Sequence, residues 1–341
     1  MIPMGSRAAS GTASPRLGLV LANWIPPEEV GAASRAVEVA GFDELWLAED
    51  CFYAGGIAVS SAALAATRQI RVGVGIYSCM LRHPALLAME LSALGRTYPG
   101  RFMPGVGLGL SESLARLDLL PPSPLTAVRS TVQILRGLLR GEAVTSSDGP
   151  FRFDGVQLAH DCHQSPPPLI VGGMGPRMLR LAGEVGDGVV LSLLAHNRYV
   201  EWAVEQVSVG AQRGGVTPPE VSVFMLFSIA DARADARADA VRLLAPFLGL
   251  LRDTEMVRQL GLSQRVSDWL AQGPDVIASH ISDEMLDQFV VWGSPEDCAN
   301  HVRRLGSAGA QCVALFPSLA RTSEAIRLSG ERLVPVLLGL H

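Results

Sequence analysis

Eight short apolar runs alternate with longer segments of helical period along most of this 341-residue chain, and that alternation constrains the fold more than any other feature. The runs are RLGLVLA (16–22), ELWLAE (44–49), IRVGVGIY (70–77), RFMPGVGL (101–108), PLIVGGM (168–174), GVVLSLL (188–194), VSVFMLFSIA (221–230) and QCVALF (311–316). Between them lie segments such as PEEVGAASRAVEVAG, PALLAMELSALGRTYPG, LTAVRSTVQILRGLLRG and SPEDCANHVRRLGSAGA, with apolar residues at i, i+3, i+4 spacing and a glycine near each end. Continuously apolar strands are buried on both faces, as in a parallel sheet covered by helices. Eight of them, each followed by a helix, predict an α/β chain folded as a (β/α)8 TIM barrel over residues 16–341.

Two stretches exceed what a barrel needs. Residues 141–167 read as a hairpin with a Pro-rich return, and residues 250–291 as a helical insertion, so both are candidate lids at one rim. The repeat DARADARADA (231–240) stacks Asp231, Asp235 and Asp239 on one helical stripe, which predicts a solvated face. Residues 1–15 are small and polar with no continuous apolar core, so a disordered tail is expected there and no secretory leader.

Composition then narrows the chemistry. All 28 basic residues are arginine, which excludes Schiff-base catalysis, because that needs an amine able to lose its proton. A net charge of −5 with no block of like charges offers no footprint for nucleic acid or an anionic membrane, and the apolar runs are too short to span a bilayer. Small molecules are the expected partners. The five cysteines are scattered, odd in number and never in a CxxC pair, which suits reduced thiols and a cytoplasmic protein. HDCH (160–163) is too cramped for a zinc site and no metal is expected; GxSxG and HExxH are absent.

The motifs that remain sit at strand ends, where barrels carry their sites. In VGGMGPR, Gly172, Gly173 and Gly175 clear side chains from a turn, and Pro176 occupies the first helical position. Amides from Gly175 to Met178, with Arg177 as a further donor, would form an anion site. PGVGLGLSE (104–112) fails the GxGxxG fingerprint, so a Rossmann site is disfavoured, yet Gly107 and Gly109 leave bare backbone for a flat ring. Trp24, Cys51, Tyr77, Ser192 and Phe224 lie at or near strand ends and are the candidates to line a substrate cavity.

GFDELWLAED, YSCMLRHPALLAMELSALGRTYPGRFMPGVGLG, PPLIVGGMGPRMLRLAGEVGDGVVLS and WGSPEDCANHVRRLGSAGAQCVALF, taken in order, resemble the luciferase-like flavin monooxygenase superfamily, most closely its branch that uses coenzyme F420. The resemblance runs from about residue 16 to 338. It implies that Gly172, Gly173, Met174, Gly175, Pro176 and Arg177 bind the cofactor phosphate, that a cis peptide joins Gly75 to Ile76 behind the ring, and that Gly107, Leu108 and Gly109 flank it. It also implies a homodimer.

Departures from the family pattern bear on catalysis. Many relatives have an acidic residue followed by histidine where this chain has Glu49 and Asp50. The glutamate proton donor of the glucose-6-phosphate dehydrogenase branch is replaced by Leu110, and its sugar-phosphate lysines are missing. Asp50 is therefore the candidate for ring contact or proton transfer, and Glu112 a second catalytic candidate on a position that also suits solvent. The turn GGMGPR has no Ser or Thr for a terminal phosphate dianion, which favours the phosphodiester of F420 over FMN. The expected function is hydride transfer between the deazaflavin C5 and a small organic substrate. An FMN-dependent monooxygenase and a non-catalytic flavin-binding barrel remain as alternatives.

Overall fold

The computed structural model describes residues 14–339. The expected tail over 1–15 falls almost wholly outside the described residues. Eleven strands are present among them: β1 (Arg16–Leu21), β2 (Glu44–Leu47), β3 (Arg71–Ser78), β4 (Phe102–Gly107), β5 (Val144–Ser146), β6 (Phe153–Val156), β7 (Ile170–Gly173), β8 (Gly188–Leu191), β9 (Glu220–Ile229), β10 (Val290–Gly293) and β11 (Cys312–Pro317). Eight close in parallel, in the order β1-β2-β3-β4-β7-β8-β9-β11 and back to β1, with helices outside: the TIM barrel read from the sequence. β5 and β6 form a separate antiparallel hairpin.

β10 was not among the expected strands, since four residues between a helix end and a Ser294 helix cap carry no period. It continues an edge already in use. β8 pairs with Glu220–Val223 and β10 with Leu226–Ile229, so the ten-residue β9 serves two partners in succession.

The interior is filled by large side chains set against glycines. A Cβ at Gly73 would lie 2.5 Å from the Trp46 ring, and one at Gly75 would lie 2.7 Å from Phe224. Those two rings meet edge to face, with centroids 5.4 Å apart. At the opposite end of the barrel from the site, Glu44 is buried and accepts from Arg16 Nε (2.8 Å), Trp46 Nε1 (2.8 Å) and Arg71, tying β1, β2 and β3 together. Burial alone would raise its carboxyl, but Arg71 and Arg16 outweigh that and hold it below the usual range.

The acidic stripe departs from expectation at one position. Asp231 and Asp235 are exposed, but Asp239 is buried and accepts from Ser228 Oγ (3.1 Å) and Ser318 Oγ (3.0 Å). The helix Arg233–Leu250 brings Phe247 and Leu250 to the cavity at the barrel mouth, and its second aspartate, Asp239, meets the hydroxyls of β9 and of the loop after β11. No helix among the described residues is long and apolar enough to cross a membrane.

Candidate active site

A cavity of about 540 Å3 opens at the C-terminal ends of the barrel strands. Its wall comprises Asn23 and Trp24 after β1, Glu49, Asp50 and Cys51 after β2, Gly75 and Ile76 in β3, Gly107 to Gly109 at β4, Gly172 to Gly175 at β7, Ser192 after β8 and Phe224 in β9. A larger groove of about 810 Å3 lies between the hairpin and the helix Pro124–Leu139, but none of the expected site residues lines it.

The glycine turn forms one side of this cavity. Gly175 is the N-cap of the ten-residue helix Pro176–Val185, and no side chain caps that end, so the first-turn amides are left for a ligand. Tyr199 orients the turn from behind: its buried hydroxyl donates to the Met174 carbonyl at 2.6 Å. Because C=O and N–H point opposite ways across a trans peptide, the Gly175 amide faces away from Tyr199. Ser78 acts similarly at β4, where its hydroxyl donates to the Leu108 carbonyl at 2.6 Å and Gly109 turns with φ 86°. Ile76 sits between these loops. Cβ atoms at Gly107 and Gly172 would lie 3.3 and 2.8 Å from its side chain, so the two glycines make room for an apolar ridge on the cavity floor. The Gly75–Ile76 peptide is cis, as is Cys51–Phe52.

The loop after β2 forms the acidic side. Glu49, its side chain 5% exposed, accepts from Arg82 Nη1 (2.7 Å), Arg82 Nη2 (2.6 Å) and the Gly56 amide (2.7 Å). Asp50 accepts from Asn23 Nδ2 at 2.8 Å. Burial, and then the Glu49 charge, push the Asp50 carboxyl above the usual carboxylate range, and the Asn23 hydrogen bond offsets part of that. Glu49 and Asp50 are the only charged side chains on the cavity wall among the described residues. Trp24, next to Asn23 on the loop after β1, stands edge to face with Phe316 at 5.1 Å, and among the described residues its buried indole Nε1 has no hydrogen-bond partner.

Residues 1–312 match the model of the luciferase-like monooxygenase family. The chain belongs to that family. Among its luciferase-like relatives, it is 27% identical over 318 residues to the 5,10-methylenetetrahydromethanopterin reductase of Methanolobus tindarius, covering 91% of this chain and 96% of the relative. It is 28% identical over 274 residues to the F420-dependent glucose-6-phosphate dehydrogenase of Nakamurella multipartita, covering 73% of this chain and 80% of that one. The coenzyme F420-dependent tetrahydromethanopterin reductase of Methanopyrus kandleri superposes with a TM-score of 0.82 over 95% of this chain and all of the other, at 21% identity, which establishes a shared fold.

Within this luciferase-like barrel, four of the expected site residues stand apart from the cavity wall. Tyr77 is fully buried, and its hydroxyl meets Ser60 Oγ at 2.9 Å beneath Arg82. The β3–β4 register shifts between Val74 and Tyr77, so counting alternate residues assigns Tyr77 to the wrong face. Glu112 is exposed on the short helix Ser111–Arg116, which turns it to solvent. Pro176 and Arg177 are exposed on the first turn of their helix, at the rim beyond Gly175. The hairpin lid candidate also lies elsewhere: its Phe153 stacks on His83, with centroids 5.4 Å apart, and no residue of 141–167 lines the cavity.

Sequence reasoning missed Asn23, Tyr199 and Ser78. Arg82 and His83 stand together before Pro84 at a helix start, a pair that reads from the sequence as one unit fixing that loop. The structure divides that unit, since Arg82 holds Glu49 while His83 Nδ1 accepts from the Ala85 amide at 3.2 Å and caps the helix Pro84–Thr97. A tyrosine or asparagine 25 residues or more from its partner gives no local signal of which loop it will meet. Among the described residues, no cluster of three His, Cys, Asp or Glu side chains is placed to hold a metal.

Proposed function

We infer that this protein is a coenzyme F420-dependent oxidoreductase that moves a hydride between the cofactor and a small organic substrate. The observation that carries this reading is the uncapped helix start at Gly175, bordering an apolar cavity at the barrel mouth, with no hydroxyl side chain in the turn. Backbone amides and the rim guanidinium of Arg177 suit a singly charged phosphodiester. The relative from Nakamurella multipartita, named for its dependence on F420, supports the same choice.

The residues fit the group by shape. Gly107, Gly172 and Gly175 remove side chains where a ring and its phosphate need room; nothing lies within 4 Å of where a Cβ at Gly175 would be. Ile76 and Leu108 would hold the ring by apolar contact, and Gly173 to Arg177 the phosphate. When bound, F420 supplies a position at its deazaflavin C5 that gives or takes a hydride. The chain's own work is to orient substrate beside that position, exclude water with Trp24, Phe224 and Phe316, and hold a proton at Asp50. Ser192 and Cys51 complete the substrate side of the wall. A cytoplasmic homodimer belongs to this reading, supported by the family resemblance and by five unpaired thiols.

A paired titration of purified protein with oxidised F420 and with FMN, followed by fluorescence and absorbance, tests the proposal. Tight F420 binding with weak FMN binding is expected. Preference for FMN, with oxygen-dependent turnover, would replace it by the monooxygenase reading; binding of F420 without hydride exchange under any donor would leave a binding protein.

A further inference from the structure

Two carboxyl groups adjacent in sequence, Glu49 and Asp50, both reach the cavity wall, and the donors around them are unequal. Glu49 has three: both terminal nitrogens of Arg82, at 2.7 and 2.6 Å, and the Gly56 amide at 2.7 Å. Among the described residues Asp50 has one neutral donor, Asn23 Nδ2, on a single oxygen, and its other oxygen accepts no hydrogen bond. Charge-assisted bidentate pairing fixes the anion on Glu49, and a second anion beside it in a half-buried site is disfavoured.

We propose that Arg82 and the Gly56 amide form a clamp that sorts the proton of the Glu49–Asp50 pair onto Asp50, against the weaker pull of the Asn23 amide. Glu49 and Arg82 are then positioning residues, and Asp50 is the group that carries a proton into the cavity. The use of that proton rests on the reading of the cavity as a hydride-transfer site; the sorting itself is a property of the protein alone. The groups facing the pair are consistent with it. Asn23 approaches from the loop after β1, Cys51 from the same loop as Asp50, Arg82 from the loop after β3, and Glu90 from the helix Pro84–Thr97, 3.6 Å from Arg82 Nε. Tyr77 closes the back of Arg82, with its ring centroid 5.6 Å from the guanidinium carbon. Arg82 is the cation among them, and its two terminal nitrogens are both committed to Glu49.

The test is a 13C NMR titration of the full chain labelled at aspartate Cγ, with the Asp50 resonance assigned by its loss in Asp50→Asn. In the unaltered protein Asp50 is expected to titrate above the ordinary aspartate range. Glu49→Gln removes the neighbouring anion and lowers that midpoint by about one unit or more. Asn23→Ala removes the donor that favours the charged form and raises it. These opposite shifts are the signature of the clamp, and either variant alone still decides it if the other fails to fold. An ordinary midpoint in the unaltered protein, or a shift of either variant in the wrong direction, overturns the proposal. F420 titration of the same samples separates the two readings: absent F420 binding with the opposite shifts intact would remove the proposed function and leave the clamp.

Discussion

Tyr199 does not itself line the cavity, yet it decides how one of its walls is presented. Its hydroxyl holds the Met174 carbonyl, and through the peptide plane it aims the Gly175 amide. Tyr199→Phe removes that bond while keeping the ring packed. The expected result is F420 affinity weaker by about fivefold, equivalent to about 1 kcal/mol, measured by fluorescence titration. Unchanged affinity would mean the turn is held by packing alone. At this scale the sequence was only partly legible. Gly107, Gly172 and Gly175 were visible because glycine declares a need for bare backbone, and Asp50 because it follows a strand. Asn23 and Tyr199 were hidden because a side-chain hydrogen bond across 25 residues or more leaves no local pattern.

Among elements, the closest approach near the site is between the helices Pro176–Val185 and Asn197–Gly214. Glycines let their backbones touch: a Cβ at Gly210 would lie 1.8 Å from the Arg180 carbonyl, and one at Gly183 would lie 2.0 Å from that of Val207. Gly210→Ala must therefore push the helices apart. We expect a loss of about 1–3 kcal/mol in urea unfolding with the m-value unchanged, accompanied by weaker F420 binding because the displaced helix carries the Gly175 end. Full stability in this variant would show that the pair relaxes freely. Strand and helix identity was readable from period, but strand ends were read too long. Ala48 after β2, and Leu193 and Leu194 after β8, continue the apolar character of those strands, yet they have left the ladder at the rim. Apolar rim residues look like strand because a cavity wall selects the same side chains as a core.

For the molecule as a whole, acid sensitivity is set by buried groups outside the site. His301, on the helix Pro295–Ser307, is pushed down to about 3 by burial and then by Arg304, with a hydrogen bond to the Val290 carbonyl offsetting part of the shift. The unfolded chain takes up this proton near pH 6.5 while the folded chain refuses it, so stability falls as pH drops from about 6.5 toward about 3. The slope from this residue reaches about 1.4 kcal/mol per pH unit. His301→Gln should flatten the dependence in urea unfolding between pH 7 and 4, and an unchanged slope would reject the assignment. Asp50 works in the opposite sense: its raised carboxyl favours the folded state at low pH, and that contribution is lost as pH rises through its folded midpoint.

By itself the sequence determined the barrel, the strand ends that line the cavity, the uncapped glycine turn beside it, and the absence of lysine chemistry. Each of these is a local property of the chain, set by period, by missing side chains or by composition. The tertiary structure decided the rest: β10 docking on the unused half of β9, the burial of Asp239, the exclusion of Tyr77 and Glu112 from the cavity, and the unequal partners of Glu49 and Asp50. Those depend on which distant segments meet when the sheet closes, and on a register shift within β3 that alternation cannot reveal. Closure is what turns two adjacent carboxyl groups into different chemical species, because Arg82 reaches one of them and only Asn23 the other.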